Sequence, residues 1–127
     1  MRQNSSNLSD MSLDKQNTPF VYTDEQLIAR FQAGDEGAYV ELVNRFRDRL
    51  INFVFQFLRD WEQAEDVVQD TMLKLYEKKH YYREIAKFST WIYTIARNLA
   101  NTELRKRKRR KTTLLSHMTR DEREIGR

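Results

Sequence analysis

The chain has no cysteine. That excludes disulfides, thiolate-bound zinc and a cysteine nucleophile, and it fits a reducing, cytoplasmic setting. Histidine is scarce as well. His80 and His117 are far apart and in no ligand spacing, so neither a metal site nor a cofactor is expected. Three glycines and one proline punctuate 127 residues. A β-sandwich or barrel would need more turn residues, so helices joined by short loops are expected. No apolar run approaches the ~20 residues that span a bilayer. The polar N-terminus lacks the apolar stretch of a signal peptide, so no membrane insertion is expected. No nucleophile, base and metal set stands at catalytic spacing, which points away from an enzyme.

Charge is plentiful and unevenly spread. The formal net charge is only +4, yet Arg105 to Lys111 are seven consecutive cations. Earlier, Glu62, Glu65, Asp66, Asp70 and Glu77 cluster with only Lys74 among them. Such polarity suggests two partners of opposite charge.

The length suits one small domain. Met1 to Pro19 is rich in Ser, Asn, Asp and Gln and reads as a disordered leader. The domain is expected over 20–111. A first helix, roughly Asp24 to Ala33, can be capped by Thr23 or Asp24 and ends at Gly34. Asp35 caps a longer helix to about Leu58. Its apolar residues Tyr39, Leu42, Val43, Phe46, Leu50, Phe53, Val54 and Phe57 recur in steps of three and four. Asp60 starts a third helix, with Gln63 as a capping-box partner. Ala64, Val67, Val68, Thr71, Met72 and Leu75 form its inner face. Glu65, Asp66, Gln69 and Asp70 lie on or beside the other. Lys78 to Lys87 has little periodicity and reads as a loop. Ser89 or Thr90 is expected to cap a fourth helix, with Trp91, Ile92, Ile95, Ala96 and Leu99 inward. Beyond Lys111 the pattern fades, and 112–127 reads as a polar linker. The expected fold is all-α, a compact bundle of three to four helices.

Three features of the fourth helix suggest nucleic acid. Thr94, Asn98, Asn101 and Arg105 share one outward stripe. Asparagine is a mediocre helix former, but its amide donates and accepts at once, which suits a base edge. The seven cations exceed what a helix C-terminus gains from its dipole and suit phosphates. Tyr81, Tyr82, Trp91 and Tyr93 lie at or before the helix start, where an exposed ring could stack on an unpaired base for roughly 1–3 kcal/mol. Core packing is the better reading for Trp91. The acidic-amide face Asp66, Gln69 and Asp70 suits docking onto a basic helix better than acid–base chemistry.

These residues resemble a family: the promoter-melting region-two domain of bacterial RNA polymerase sigma factors, of the small extracytoplasmic-function type. The likeness runs from about Thr23 to Arg110. It rests on three segments in order: DEQLIARFQAGDEGAYVELVNRF, AEDVVQDTMLKLY and FSTWIYTIARNLANTELRKRKRR. The resemblance implies a transcription initiation factor domain without catalysis of its own. Its implied partners are core RNA polymerase, through the beta-prime clamp helices, and the non-template strand of the promoter minus-ten element. An anti-sigma factor is a further implied partner. Asp66, Gln69 and Asp70 match the D-x-x-Q-[DE] polymerase-binding pattern, with Met72, Leu73 and Tyr76 completing that patch. Asn98 matches a position that helps hold a flipped-out base. Tyr82 and Arg83 would form the rest of the pocket. Thr94, Arg97, Asn101, Arg105, Arg107 and Lys108 would contact neighbouring bases or phosphates.

The chain departs from the pattern in two places. The loop YYREIAK has no glycine, and Thr94 and Ile95 stand where housekeeping members carry a tryptophan pair. Nothing after Lys111 could supply the helix-turn-helix of a complete member, so a fragment or single-domain relative is expected. A generic basic-helix RNA- or DNA-binding protein and a protein-interaction module are the alternatives from the residues alone.

Overall fold

The structure, a computed structural model, describes residues 20–125. The expected leader 1–19 lies outside the described residues. Helix α1 (Asp24–Gln32) opens on a reciprocal capping box: the Thr23 hydroxyl accepts from the Gln26 N–H, and the Gln26 side chain accepts from the Thr23 N–H. Gly34, at φ +106°, turns the chain in the left-handed region that glycine tolerates best. Asp35 then caps α2 (Glu36–Leu58) by accepting the Ala38 N–H. Asp60 caps α3 (Trp61–Glu77). A short 3-10 turn, Lys79–Tyr81, leads into α4 (Phe88–Ile125). The all-α expectation of three to four helices holds.

The helices pack because each buries one stripe. Leu27, Ile28 and Phe31 of α1 meet Ala38, Leu42, Phe46, Leu50 and Val54 of α2. Ala64, Val68 and Leu75 of α3 and Phe88, Ile92, Ala96 and Ala100 of α4 close the same core. Burying one such large side chain is worth roughly 1.5–3 kcal/mol, so this shared core holds the bundle. Arg45 fixes the start of α1 on α2. Its guanidinium donates to Asp24 (2.9 Å), Glu41 (3.1 Å) and the Tyr22 carbonyl (2.7 Å).

Four expectations need correction. Helix α4 starts at Phe88, one residue before Ser89, and neither Ser89 nor Thr90 precedes it as a cap. The Phe88 N–H instead donates to the Glu25 carboxylate of α1, 2.8 Å away. Asp60 accepts from the Gln63 N–H, but the Gln63 side-chain oxygen is engaged by Arg107 of α4. Ile95 and Leu99 are only partly buried. Residues 112–125, whose apolar pattern is faint, continue α4 as helix.

Candidate nucleic-acid interface and acidic docking face

The sequence places the outward stripe of α4 where the core leaves it free. Ile92, Ala96 and Ala100 face inward, so the opposite side goes to solvent. Thr94, Arg97, Asn98 and Arg105 are exposed, and Asn101 is half-buried. No hydrogen bond within the protein occupies the Asn98 amide among the described residues. The hydroxyls are spent locally: Thr94 donates to the Thr90 carbonyl (2.8 Å) and Thr102 to the Asn98 carbonyl (3.0 Å). Arg105 donates to the Thr102 hydroxyl at 3.1 Å.

Beside this stripe lies a shallow groove lined by Phe53, Ser89, Thr90, Tyr93, Thr94 and Arg97. Tyr93 sits edge-on to Phe53, with ring centroids 4.9 Å apart, and Phe53 is edge-on to Phe57 at 5.1 Å. Both Phe53 and Tyr93 are partly buried, so each is held by the core and still offers an edge. Phe53 had no distinguishing signal in the sequence. It belongs to the apolar period of α2, and only the packing of α4 shows that its outer edge stays open.

The loop residues divide. Arg83 is exposed, but Tyr82, which the sequence left open between stacking and core packing, is only 5% exposed. Its ring packs on Phe88 (5.7 Å) and Trp91 (5.4 Å), and its hydroxyl donates to the Ala86 carbonyl. Burial pushes the phenol above its ordinary range, and the carboxylates of Glu25 and Glu84 add to the shift. Tyr82 therefore shapes the loop and cannot stack on a base. Trp91 is partly buried against Phe88, and Tyr81 is exposed.

The cationic run is also not uniform. Arg107 is half-buried, and its guanidinium is tied to the Gln63 side-chain oxygen. Arg110 reaches Glu103 at 3.4 Å. Arg105, Lys106, Lys108, Arg109 and Lys111 are exposed and have no carboxylate partner among the described residues.

The acidic face stands on α3, whose inner residues Ala64, Val67, Val68, Thr71 and Leu75 are buried. Asp66, Gln69 and Asp70 are exposed together, followed by Leu73 and Tyr76. Met72 is the correction: it is 6% exposed and belongs to the core, reaching only the floor of a recess shared with Val43, Arg47, Glu65, Asp66 and Gln69. Arg47 lies 3.8 Å from Glu65 at that rim. Tyr76 is held in place by its hydroxyl, which donates to Glu36 (3.1 Å), and by ring contacts with Phe31 and Tyr39. Among the described residues no cluster of His, Cys, Asp and Glu could hold a metal ion, and no helix is long and apolar enough to cross a membrane.

Comparison with known proteins bears on the family and the fold. Residues 42–110 match the family described as Sigma-70 region 2. The RNA polymerase sigma-H factor of Pseudomonas aeruginosa is 36% identical over 87 residues, 68% of this chain and 45% of that protein. The extracytoplasmic-function sigma factor SigW of Bacillus subtilis is 31% identical over 81 residues, 64% of this chain and 43% of its own length. The chain thus spans less than half the length of these curated relatives. A solved structure of an engineered region 2 of sigmaE, in complex with GTAAAA, superposes with a TM-score of 0.64 at 35% identity, covering 70% of this chain and 93% of that one. An all-α bundle, three ordered sequence segments and a family match over more than half the chain converge: this chain belongs to the sigma-70 region 2 family, in the company of extracytoplasmic-function sigma factors.

Proposed function

We propose that this chain docks on core RNA polymerase through α3 and captures the opened non-template strand of a promoter minus-ten element along α4. The observation that carries the reading is the placement of Asn98. It is solvent-exposed and in line with Thr94, Asn101 and Arg105, on the same rigid helix as five exposed cations without carboxylate partners. The engineered relative bound to GTAAAA supports single-strand capture by this fold.

The physical logic needs no chemistry. A protein that binds only the opened state pulls the duplex–open equilibrium toward it by mass action. Unstacking a base costs a few kcal/mol. Contacts from Asn98, Arg97 and the Phe53–Tyr93 groove, with phosphates on the distal cations, offset that cost. Asp66, Gln69 and Asp70, extended by Leu73 and Tyr76, offer a small acidic face to the basic clamp helices of the beta-prime subunit. Such an interface is steered by charge and weakened by salt. Arg83 and Lys108 join the nucleic-acid contacts, and the working unit is 20–111. An anti-sigma factor would act by covering either face.

The test pairs isolated beta-prime clamp helices with short single-stranded oligonucleotides. The Asp70→Arg variant should lose clamp-helix binding by more than tenfold and keep its strand affinity and melting temperature. Equal affinity for cognate and scrambled strands, or for RNA, would instead favour a general nucleic-acid binder.

A further inference from the structure

The loop between α3 and α4 has no glycine and is held from two sides. Within it, the Tyr81 N–H donates to the Lys78 carbonyl (2.8 Å) and the Tyr82 hydroxyl to the Ala86 carbonyl, while the bonds from the Tyr82 N–H to the Lys79 carbonyl (3.4 Å) and from the Ala86 N–H to the Arg83 carbonyl (3.5 Å) are long. It is also held from α1. The Gln32 side-chain amide donates to the Lys79 carbonyl (2.7 Å) and the Tyr82 carbonyl (3.3 Å). At the other end, Glu25 accepts the Phe88 N–H at 2.8 Å. Two side chains on one face of α1, about two turns apart, thus grip both ends of a segment some fifty to sixty residues away in sequence. Between these grips Arg83 to Lys87 is presented to solvent, with Ile85 93% exposed at the tip.

The Glu25 carboxylate also sits at the positive end of the α4 dipole and satisfies one of its free N–H groups. That end is therefore not an open phosphate site, and a strand's backbone is left to the distal cations. Meanwhile Ser89, Thr90 and Tyr93, in the first turns after the loop, line the groove.

We infer that Glu25 and Gln32 are positioning residues, which set the loop and the first turns of α4 and thereby the base preference of the groove. This rests on the single-strand reading above. Neither residue is on the exposed stripe or on the acidic face.

The experiment uses the full chain and a panel of single-stranded hexamers that vary one base at a time around GTAAAA. Glu25→Ala, Gln32→Met and the conservative Glu25→Gln, which keeps an acceptor oxygen, are compared with the unaltered chain well below their melting temperatures. The expected result is that Glu25→Ala and Gln32→Met each lower the ratio of best to worst hexamer at least threefold. Clamp-helix binding stays within twofold, and Glu25→Gln keeps most of the ratio. A purely structural role would lower melting temperature without moving that ratio. An unchanged ratio in folded Gln32→Met, which preserves side-chain length but cannot donate, overturns the inference while leaving strand capture intact. An unaltered chain that shows no preference across the panel overturns both.

Discussion

At the scale of single residues, Asn98 and Met72 illustrate opposite outcomes of the same helical arithmetic. Asn98 is displayed and Met72 is hidden, though the family resemblance put both at a contact surface. The Asn98→Ala variant should bind a cognate single strand about 1–3 kcal/mol more weakly, the worth of a good two-point amide contact to a base. It should lose preference at one position and leave the melting temperature unchanged, which fluorescence anisotropy and calorimetry can check. Met72→Ala should cost roughly 2–5 kcal/mol of stability, as removal of a buried methionine does. The neighbouring Leu73→Ala should cost almost no stability and weaken clamp-helix binding. Chemical denaturation together with a pull-down separates the two. The sequence could place Met72 inward by period, as it did for Thr71 and Leu75. What it could not show is that a residue on the edge of that period lacks enough open surface to serve the patch.

At the scale of elements, the helices that cap themselves were legible and the helix capped by another was not. Thr23, Asp35 and Asp60 each stand immediately before the helix they cap, so a local reading finds them. The start of α4 depends on Glu25, 63 residues away, and local preference favoured Ser89 or Thr90. The far end of α4 hid for a different reason. Beyond Lys111 two threonines open the segment, and its few large apolar residues Leu114, Leu115 and Met118 are exposed and mark no buried stripe, so continuation through Ile125 left little trace in the pattern. The same element yields a quantitative expectation. Two of its seven cations are engaged by Gln63 and Glu103, so five are available for phosphates. At roughly 0.7 per phosphate on a single strand, the run should contribute at most about 3.5 to the log–log salt slope, beyond whatever Arg83 and Arg97 add. Titrations at several ionic strengths measure this directly. A loss of slope of about 5 when all seven cations of the run are replaced by alanine would mean that Arg107 and Arg110 leave their partners on binding.

At the scale of the whole molecule, the two charged surfaces lie on different elements and approach each other where Arg107 of α4 holds Gln63 near the start of α3. Negative charge is concentrated on α3, and positive charge on the half of α4 beyond Leu104. Overall architecture was legible because three amphipathic stretches and scarce turn residues leave few other arrangements. The groove was not, because Phe53 and Tyr93 are brought together by packing, forty residues apart in the chain.

One further property follows from α4 being a single unbroken helix of 38 residues. Asn98 and Lys108 are then fixed about 15 Å apart along its axis, and they cannot adjust independently. On the proposed reading the protein carries a ruler: were the amide to engage a base, the cations would meet the strand at a set distance and a set angle. One alanine inserted between Leu104 and Arg105 would turn the cations by about 100°. Affinity for a short oligonucleotide should drop about tenfold and the salt slope should flatten. A seven-residue insert, close to two full turns, would restore the angle and lengthen the span by about 10 Å. Only longer oligonucleotides should then recover tight binding, so the minimum strand length becomes a reading of the helix itself.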